Sequence, residues 1–203
     1  MRRCLALLLA LGTSACARSV YSAPVPASAP VAASSRSVPV ARTAVSTGEA
    51  VDYLLARSLA IPVAGITVGQ LHDSFDEGRD GSRVHRALDI MAARGTPVLS
   101  ADSGRILRMS SNTLGGNIIY ASDPLGRVVY YYAHLDAYQP GLENGMPIAR
   151  GDTLGFVGTT GNAPKDTPHL HFQVMRMPPD GQYWDGDPIN PYPLLLLMHF
   201  ARR

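Results

Sequence analysis

His169 and His171 lie one residue apart in the apolar segment TPHLHFQVM. Successive side chains of a β-strand point to opposite faces, so a strand here would place both imidazoles on one face and Leu170 and Phe172 on the other. Two imidazoles on one face of a buried strand suit a metal ion or a proton-transfer reaction. An isolated HxH pair is at least as often two hydrogen-bonded core histidines, so the interpretation depends on partners elsewhere in the chain.

The segment RVHRALDI offers such partners, because it places His85 and Asp89 four residues apart. Positions i and i+4 share a face on a strand and also meet on a helix, so the imidazole and the carboxylate converge in either case. Both are ligand types that zinc accepts. Alone, an HxxxD pair is most often an ordinary surface ion pair.

The segment RVVYYYAHLD contributes a fourth histidine. Strand alternation predicts that His134 shares a polar or groove-facing side with Tyr130 and Tyr132, and that Tyr131 lies on the opposite face. A single histidine after an aromatic strand is more often a hydrogen-bonded core or rim residue than a functional one.

Together, the three segments use four of the six histidines in the chain. Such a joint pattern arises by chance far less often than any of its parts. The other two histidines, His72 and His199, fit no part of it and are interpreted as structural or surface residues. The pattern has chemical meaning only if the fold brings these remote segments together.

Short apolar runs separated by glycine-bearing turns follow Pro62, at spacings of about eight to fifteen residues. They predict an all-β, antiparallel, sandwich-like domain over residues 62–203, and the turns LGG and DPLG supply the positive φ angles of tight hairpins. The closing LLLLMHF is too short to cross a bilayer and is predicted to pack on the core.

Two elements precede this domain. The segment STGEAVDYLLARSLAI predicts an amphipathic helix over residues 48–61, capped by Ser46 or Thr47 and ended by Pro62. Residues 17–47 consist mainly of Ala, Ser, Pro and Val, a composition that predicts a disordered, extended tether.

Residues 1–16 read as a secretory signal, with two arginines, an apolar run and small residues. Both cysteines, Cys4 and Cys16, lie within it, so the domain beyond Cys16 contains no disulfide. Cys16 is placed like the lipid-accepting cysteine of a bacterial lipoprotein. However, Thr13 stands where such signals usually carry leucine, and the sequence ACA also fits an ordinary cleavage site. The lipoprotein is favoured slightly over free secretion.

Composition supports a folded, turn-rich domain, with 46% hydrophobic and 17% charged residues, 19 glycines and 16 prolines. Without Arg2 and Arg3 of the signal, 16 basic residues face 16 acidic ones. This neutral balance argues against a nucleic-acid partner, which would require a basic face.

The chain resembles the lysostaphin/LytM-type zinc metallopeptidases from about Asp73 to Pro191. HRALD matches the family's HxGxD, and GTPVLSADSGRI and GGNIIYASDPLGRVVYYYAHL match its next two segments. GDTLGFVGTTGNAPKDTPHLHFQV matches the segment that ends in the family's HLHFE. Ala87 replaces the usual glycine of the first motif, and we expect this to change the shape of the groove while leaving every ligand intact.

The resemblance implies that His85, Asp89 and His171 bind Zn²⁺, with His134 and His169 as catalytic, non-ligand histidines. A zinc ion with an open position lowers the pKa of bound water to about 7 and polarises a carbonyl group. The two free histidines could move protons or stabilise the oxyanion, and the sequence does not divide these tasks between them.

The implied substrate is peptidoglycan, hydrolysed in its stem peptides or cross-links within an open groove. The export signal agrees with this, and together they favour a periplasmic D,D-endopeptidase, free or held at the outer membrane by a lipidated Cys16. Cleavage of another bond, such as the amide to the sugar, stays open. The alternatives are an inactive family member that activates a cell-wall amidase and a non-catalytic carbohydrate- or lipid-binding β module.

Overall fold

The computed structural model describes residues 46–79, 81 and 83–200. The signal over residues 1–16, the lipid-accepting Cys16 and nearly all of the tether over residues 17–47 lie outside these residues. Two α-helices and nine β-strands are present in the described part of the chain. They are α1 (Thr47–Arg57), β1 (Leu88–Met91), β2 (Pro97–Leu99), β3 (Gly104–Asn112), β4 (Gly116–Ser122), β5 (Val128–Tyr138), β6 (Pro147–Ile148), β7 (Thr153–Val157), β8 (His169–Arg176), β9 (Asp187–Ile189) and α2 (Pro191–Phe200).

The strands form one antiparallel sheet in the order β1-β8-β5-β4-β3-β6. Two branches leave this path, since β7 pairs with both β2 and β5, and β9 pairs with β8. Short one-turn helices at Val68–Gln70 and Tyr183–Asp185 lie in the connections. The predicted all-β antiparallel fold is confirmed.

One face of β8 packs into the core. Leu170 and Phe172 are fully buried there, and the Phe172 ring lies 5.3 Å from that of Tyr132 on the neighbouring β5. His169 and His171 alternate with them and face the other side of the sheet, as strand periodicity predicts. Packing of one face of β8 in the core therefore fixes the strand whose other face carries His169 and His171.

Helix α1 begins with a capping box, in which Ser46 Oγ accepts a hydrogen bond from the Glu49 amide and the Glu49 carboxylate accepts one from the Ser46 amide. It buries Ala50 and Leu54. The helix ends at Arg57, earlier than the predicted boundary at Pro62, because Ser58 adopts a left-handed conformation with φ 59°.

Helix α2 corresponds to the apolar C-terminal segment that was predicted to pack on the core. Leu194, Leu195 and Met198 are buried and belong to the main hydrophobic cluster. Neither helix of the described residues is long and apolar enough to span a bilayer. The hydrophobic core thus covers one face of the sheet, and the face that carries His169 and His171 lines an open groove.

Candidate metal centre

Three potential ligand atoms converge where β1 pairs with β8. Asp89 on β1 lies directly opposite His171 on β8 in the antiparallel register, and His85 precedes β1. His85 Nε2 lies 2.9 Å from His171 Nδ1 and 3.0 Å from Asp89 Oδ1, and the latter two atoms are 3.1 Å apart. Zinc bonds to imidazole nitrogen and carboxylate oxygen are about 2.0–2.2 Å long, so one ion can reach all three atoms.

The orientation of His85 is fixed from behind by Ser74. His85 Nδ1 lies 2.8 Å from the Ser74 carbonyl oxygen, which can only accept, so Nδ1 carries the proton and Nε2 is left free to bind a metal. The Ser74 hydroxyl donates to the Ala87 carbonyl and accepts from the Asp89 amide at 2.9 Å. One serine therefore holds both ends of the HRALD turn, in the manner of the outer partners of known metal ligands.

The two carboxylate oxygens of Asp89 have different partners. Oδ1 faces His85 and His171, whereas Oδ2 accepts a hydrogen bond of 2.5 Å from Arg79 Nη2. Burial by itself would raise the pKa of Asp89, but the close contacts with His171 and His85 outweigh it and hold the pKa well below its usual range. Burial also lowers the pKa of His171. The donor set is thus two imidazoles and one charged carboxylate, which fits zinc.

The contact between Arg79 and Asp89 predicts an effect on metal affinity. Replacing Arg79 by methionine removes the donor that turns Oδ1 toward the two histidines, and we expect zinc to bind about 10-fold more weakly. Competition with a chromophoric chelator measures this affinity. Arg83→Met, which changes a neighbouring arginine of the same groove, is the control. A higher zinc affinity in Arg79→Met would show instead that charge repulsion between the guanidinium and the ion dominates.

His134 and His169 lie beside the donor triangle with a shared hydrogen-bonding pattern. Their Nδ1 atoms lie 2.9 Å from the Thr160 carbonyl oxygen and 2.8 Å from the Thr167 carbonyl oxygen, respectively. Each Nδ1 therefore donates, and each Nε2 is left as a proton acceptor. The centroids of the two rings are 5.0 Å apart. His169 Nε2 is 3.9 Å from Asp89 Oδ1, which is farther than the 2.9–3.1 Å that separate the three donor atoms from one another.

His134 lines the groove as predicted, but the tyrosines predicted to share its face need correction. Tyr130 and Tyr132 are buried in the core, whereas Tyr131 lines the groove, so His134 does not share a face with the first two. The register of β5 against its neighbours shifts beside His134, which has φ 62° and donates its amide to the Gly115 carbonyl oxygen at 2.7 Å. This bulge turns His134 to the groove side, whereas regular alternation from Tyr130 and Tyr132 would have placed it in the core.

Burial lowers the pKa of His134 to about 4, in spite of the hydrogen bond to Thr160. The unfolded chain has a histidine pKa of about 6.5, so it binds more protons than the folded state between pH 6.5 and 4, and stability falls as the pH is lowered through this range. We expect His134→Gln to reduce that acid loss by roughly 3 kcal/mol.

Urea unfolding of zinc-free protein at pH 7 and pH 4 measures this difference. His72→Gln is the control, because the His72 side chain is 82% exposed beside Glu77. An equal acid loss in wild type and His134→Gln would show that His134 does not cause it.

All five of these residues line one groove of about 720 Å³. The groove also includes Tyr120, Tyr131 and Gln173. Ala87 is fully buried and is not part of the lining, so its methyl group does not narrow the groove as expected from the sequence.

The remaining two histidines lie away from the groove. His72 lies on the surface, and His199 lies on α2 against Phe200.

Arg79 and Ser74 were not predicted from the sequence, because their contacts with the metal centre span ten or more residues of irregular chain. Only their nearness to the HRALD motif could have drawn attention to them.

Residues 83–191, more than half of the chain, match the family model described as "Peptidase family M23". Among curated proteins, the L-Ala–D-Glu endopeptidase of Bacillus subtilis (strain 168) is 32% identical over 127 residues, which cover 58% of this chain and 36% of that protein. The DD-carboxypeptidase/endopeptidase Mpg of Neisseria meningitidis serogroup B is 32% identical over 114 residues, or 56% of this chain and 23% of that protein. The matches thus span about a third and a quarter of those relatives.

The fold is similar to that of a solved family member. The antimicrobial peptidase lysostaphin from Staphylococcus simulans superposes with a TM-score of 0.53 at 26% identity, covering 66% of this chain and 52% of that one. The family match begins two residues before His85 and extends past His171, so it includes every segment of the groove named above except the loop of Ser74 and Arg79. The chain therefore belongs to peptidase family M23.

Proposed function

We propose that this chain is a zinc-dependent endopeptidase that hydrolyses peptide bonds in peptidoglycan stem peptides or cross-links. The observation that carries the proposal is the joint geometry of the groove, in which a triangle of His85, Asp89 and His171 donor atoms lies beside two histidines with free Nε2 atoms. Family membership and the endopeptidase names of the two curated relatives support the substrate class.

In this proposal, His85 Nε2, Asp89 Oδ1 and His171 Nδ1 would hold the ion. Zinc would supply a polarised carbonyl and a water molecule that is acidic at neutral pH. Because burial keeps the pKa of His134 low, its Nε2 is unprotonated at neutral pH and can accept a proton. His169 Nε2 faces the same space, so the two histidines can take up a proton and deliver it to the leaving amine.

The compartment and one of the relatives support a choice among the peptide bonds of peptidoglycan. The apparent export signal would bring the domain to the cell wall, and one relative is named a DD-carboxypeptidase/endopeptidase. We propose a D,D-endopeptidase of the periplasm, held at the outer membrane through a lipid on Cys16. Metabolic labelling with a clickable fatty acid tests the lipid, which should label the wild type and not Cys16→Ala; an unlabelled wild type would mean free secretion.

Digestion of purified sacculi tests the activity. The zinc-loaded protein should convert cross-linked muropeptide dimers into monomers, as read by mass spectrometry. A chelator should stop the reaction, added zinc should restore it, and acid should weaken it as the ligand histidines become protonated.

Two results would contradict the proposal. Release of peptide-free glycan would show cleavage of the sugar amide. No release at all, combined with activation of a separate amidase, would show that the chain is the non-catalytic activator considered from the sequence.

A further inference from the structure

The groove continues beyond His171 into a row of four aromatic rings. The Tyr131 ring lies 6.1 Å from the His171 ring, and Tyr120 lies 4.7 Å from Tyr131. The row continues to Tyr183 at 5.1 Å and then to Trp184 at 5.0 Å, all measured between ring centroids. We call Tyr131, Tyr120, Tyr183 and Trp184 the aromatic row. It joins the candidate metal centre to the protein surface.

Strand register explains why the row begins on the floor of the groove. Tyr131 on β5 lies opposite Gln173 on β8 and opposite Tyr120 on β4. Gln173 is two residues from His171 on the same strand, so these side chains share the face that carries the metal centre. The first two rings of the row and the HxH pair thus line one continuous surface.

The outer end of the row is held in place by its loop. Strand β9 pairs with the end of β8, and Arg176 and Asp187 form an ion pair across that pairing. Gly186 lies so close to β8 that a Cβ atom there would be 2.7 Å from the Arg176 carbonyl oxygen. The loop that bears Trp184 is therefore held against β8, and the indole makes an edge-to-face contact with the Tyr183 ring.

Trp184 is nevertheless 58% exposed, and it is the only tryptophan in the chain. Large aromatic side chains stabilise a protein mainly when they are buried. An exposed aromatic side chain that continues a row of rings out of a groove is typical of a ligand-binding surface. Burial raises the pKa of Tyr120 and of Tyr131, so these rings are uncharged at any physiological pH. The row is an uncharged aromatic surface whose successive rings are tilted by 45°, 59° and 84°, and Gln173 is a polar neighbour of its inner end.

These properties fit a pyranose ring better than a short wall peptide. One face of a pyranose carries only C–H groups and packs on an aromatic ring, while its hydroxyl groups reach polar side chains at the rim. A stem peptide of peptidoglycan offers mainly methyl groups and charges, and an uncharged aromatic surface has no partner for the charges. The peptide and the glycan strand are joined covalently, so a substrate whose peptide lies at the metal centre can place its sugars on the outer part of the row.

We propose that the aromatic row is a binding site for the glycan strand of peptidoglycan, with Trp184 as its outermost contact. The proposal rests on the proposed function, because it assigns a second part of the same substrate to the same groove. It predicts that the protein recognises sugar independently of peptide cleavage.

Binding is measured with peptide-free glycan strands of alternating N-acetylglucosamine and N-acetylmuramic acid, using the full exported chain. Trp184 fluorescence should change on titration with the glycan and not with free stem peptide. By calorimetry, Trp184→Ala should bind the glycan about tenfold more weakly, and Trp184→Phe should recover part of the affinity. Leu197→Ala is the matched control, because Leu197 is 56% exposed on α2; its affinity should equal that of the wild type.

Kinetics give a second readout. The ratio of kcat/KM on sacculi to kcat/KM on a synthetic cross-linked peptide dimer without sugar should fall about tenfold in Trp184→Ala. The loss should appear in KM, because Trp184 lies away from the reacting bond. An equal loss on both substrates would overturn the glycan site.

The remaining outcomes separate the two proposals. No glycan binding by the wild type, or unchanged binding by Trp184→Ala, overturns the glycan site. A fluorescence change with stem peptide alone also overturns it and assigns the row to peptide. Glycan binding that depends on Trp184, in a protein that releases nothing from sacculi, supports the glycan site and overturns the endopeptidase.

Discussion

Replacing Asp89 by alanine is expected to abolish zinc binding and peptidase activity together, in a protein that still folds. The substitution removes one of three donors and the only negative charge among them, so His85 and His171 must hold the ion alone. Zinc affinity should fall by at least about 100-fold, since loss of an outer partner of a ligand already costs about 10- to 100-fold.

Metal analysis after dialysis and muropeptide release from sacculi measure the two losses. The matched control is Asp76→Ala, because Asp76 also pairs with an arginine, Arg86, at 2.7 Å but lies on the surface. It should retain full zinc and full activity. If Asp89→Ala keeps one zinc ion per chain and cleaves sacculi, the assignment of the donor triangle is wrong.

Replacing His169 by alanine is expected to separate metal binding from turnover. His169 contacts no donor atom within hydrogen-bonding distance, and its Nε2 lies 3.9 Å from Asp89 Oδ1. Removing the imidazole therefore leaves the three donors in place but takes away a group that we propose moves a proton. The kcat should fall by about 100- to 10,000-fold, the range of general acid–base catalysis.

The zinc content of His169→Ala should equal that of the wild type, and His72→Ala should lose neither zinc nor activity. Far-ultraviolet circular dichroism checks that each variant is folded. Loss of zinc and activity in parallel in His169→Ala would make His169 a ligand and would require another residue to move the proton.

The part of the site that follows strand periodicity could be predicted from the sequence. Alternation along HLHFQVM places Leu170 and Phe172 in the core and the two histidines on the groove face, and the structure shows the same arrangement. The contact of His85 with Asp89 was predicted from their i, i+4 spacing, but it arises in an irregular turn, since His85 precedes β1 and Arg86 has φ 56°. Strand alternation along HLHFQVM is local geometry, and a single sequence records local geometry.

The rest depends on irregular or distant backbone. Regular alternation gave the wrong face for Tyr131 because the bulge at His134 reverses the pattern, and no residue type in YYYAHL marks that bulge. The contacts of Arg79 and Ser74 with the metal centre depend on how the loop before β1 folds back. Neither loop paths nor register shifts leave a periodic signal in the sequence.

The position of β1 at the edge of the sheet links metal binding to the stability of the domain. Among the described strands, β1 pairs with β8 alone, so it lies at the margin of the sheet, and Asp89 and His171 face each other across that pairing. An ion bound there would act as a cross-link between the outermost strand and its inner neighbour, and its binding free energy would add to the cohesion of the margin. The concentration of the metal ion in the compartment where the chain folds would then control both the activity of the domain and the stability of the β1–β8 pairing against local unfolding.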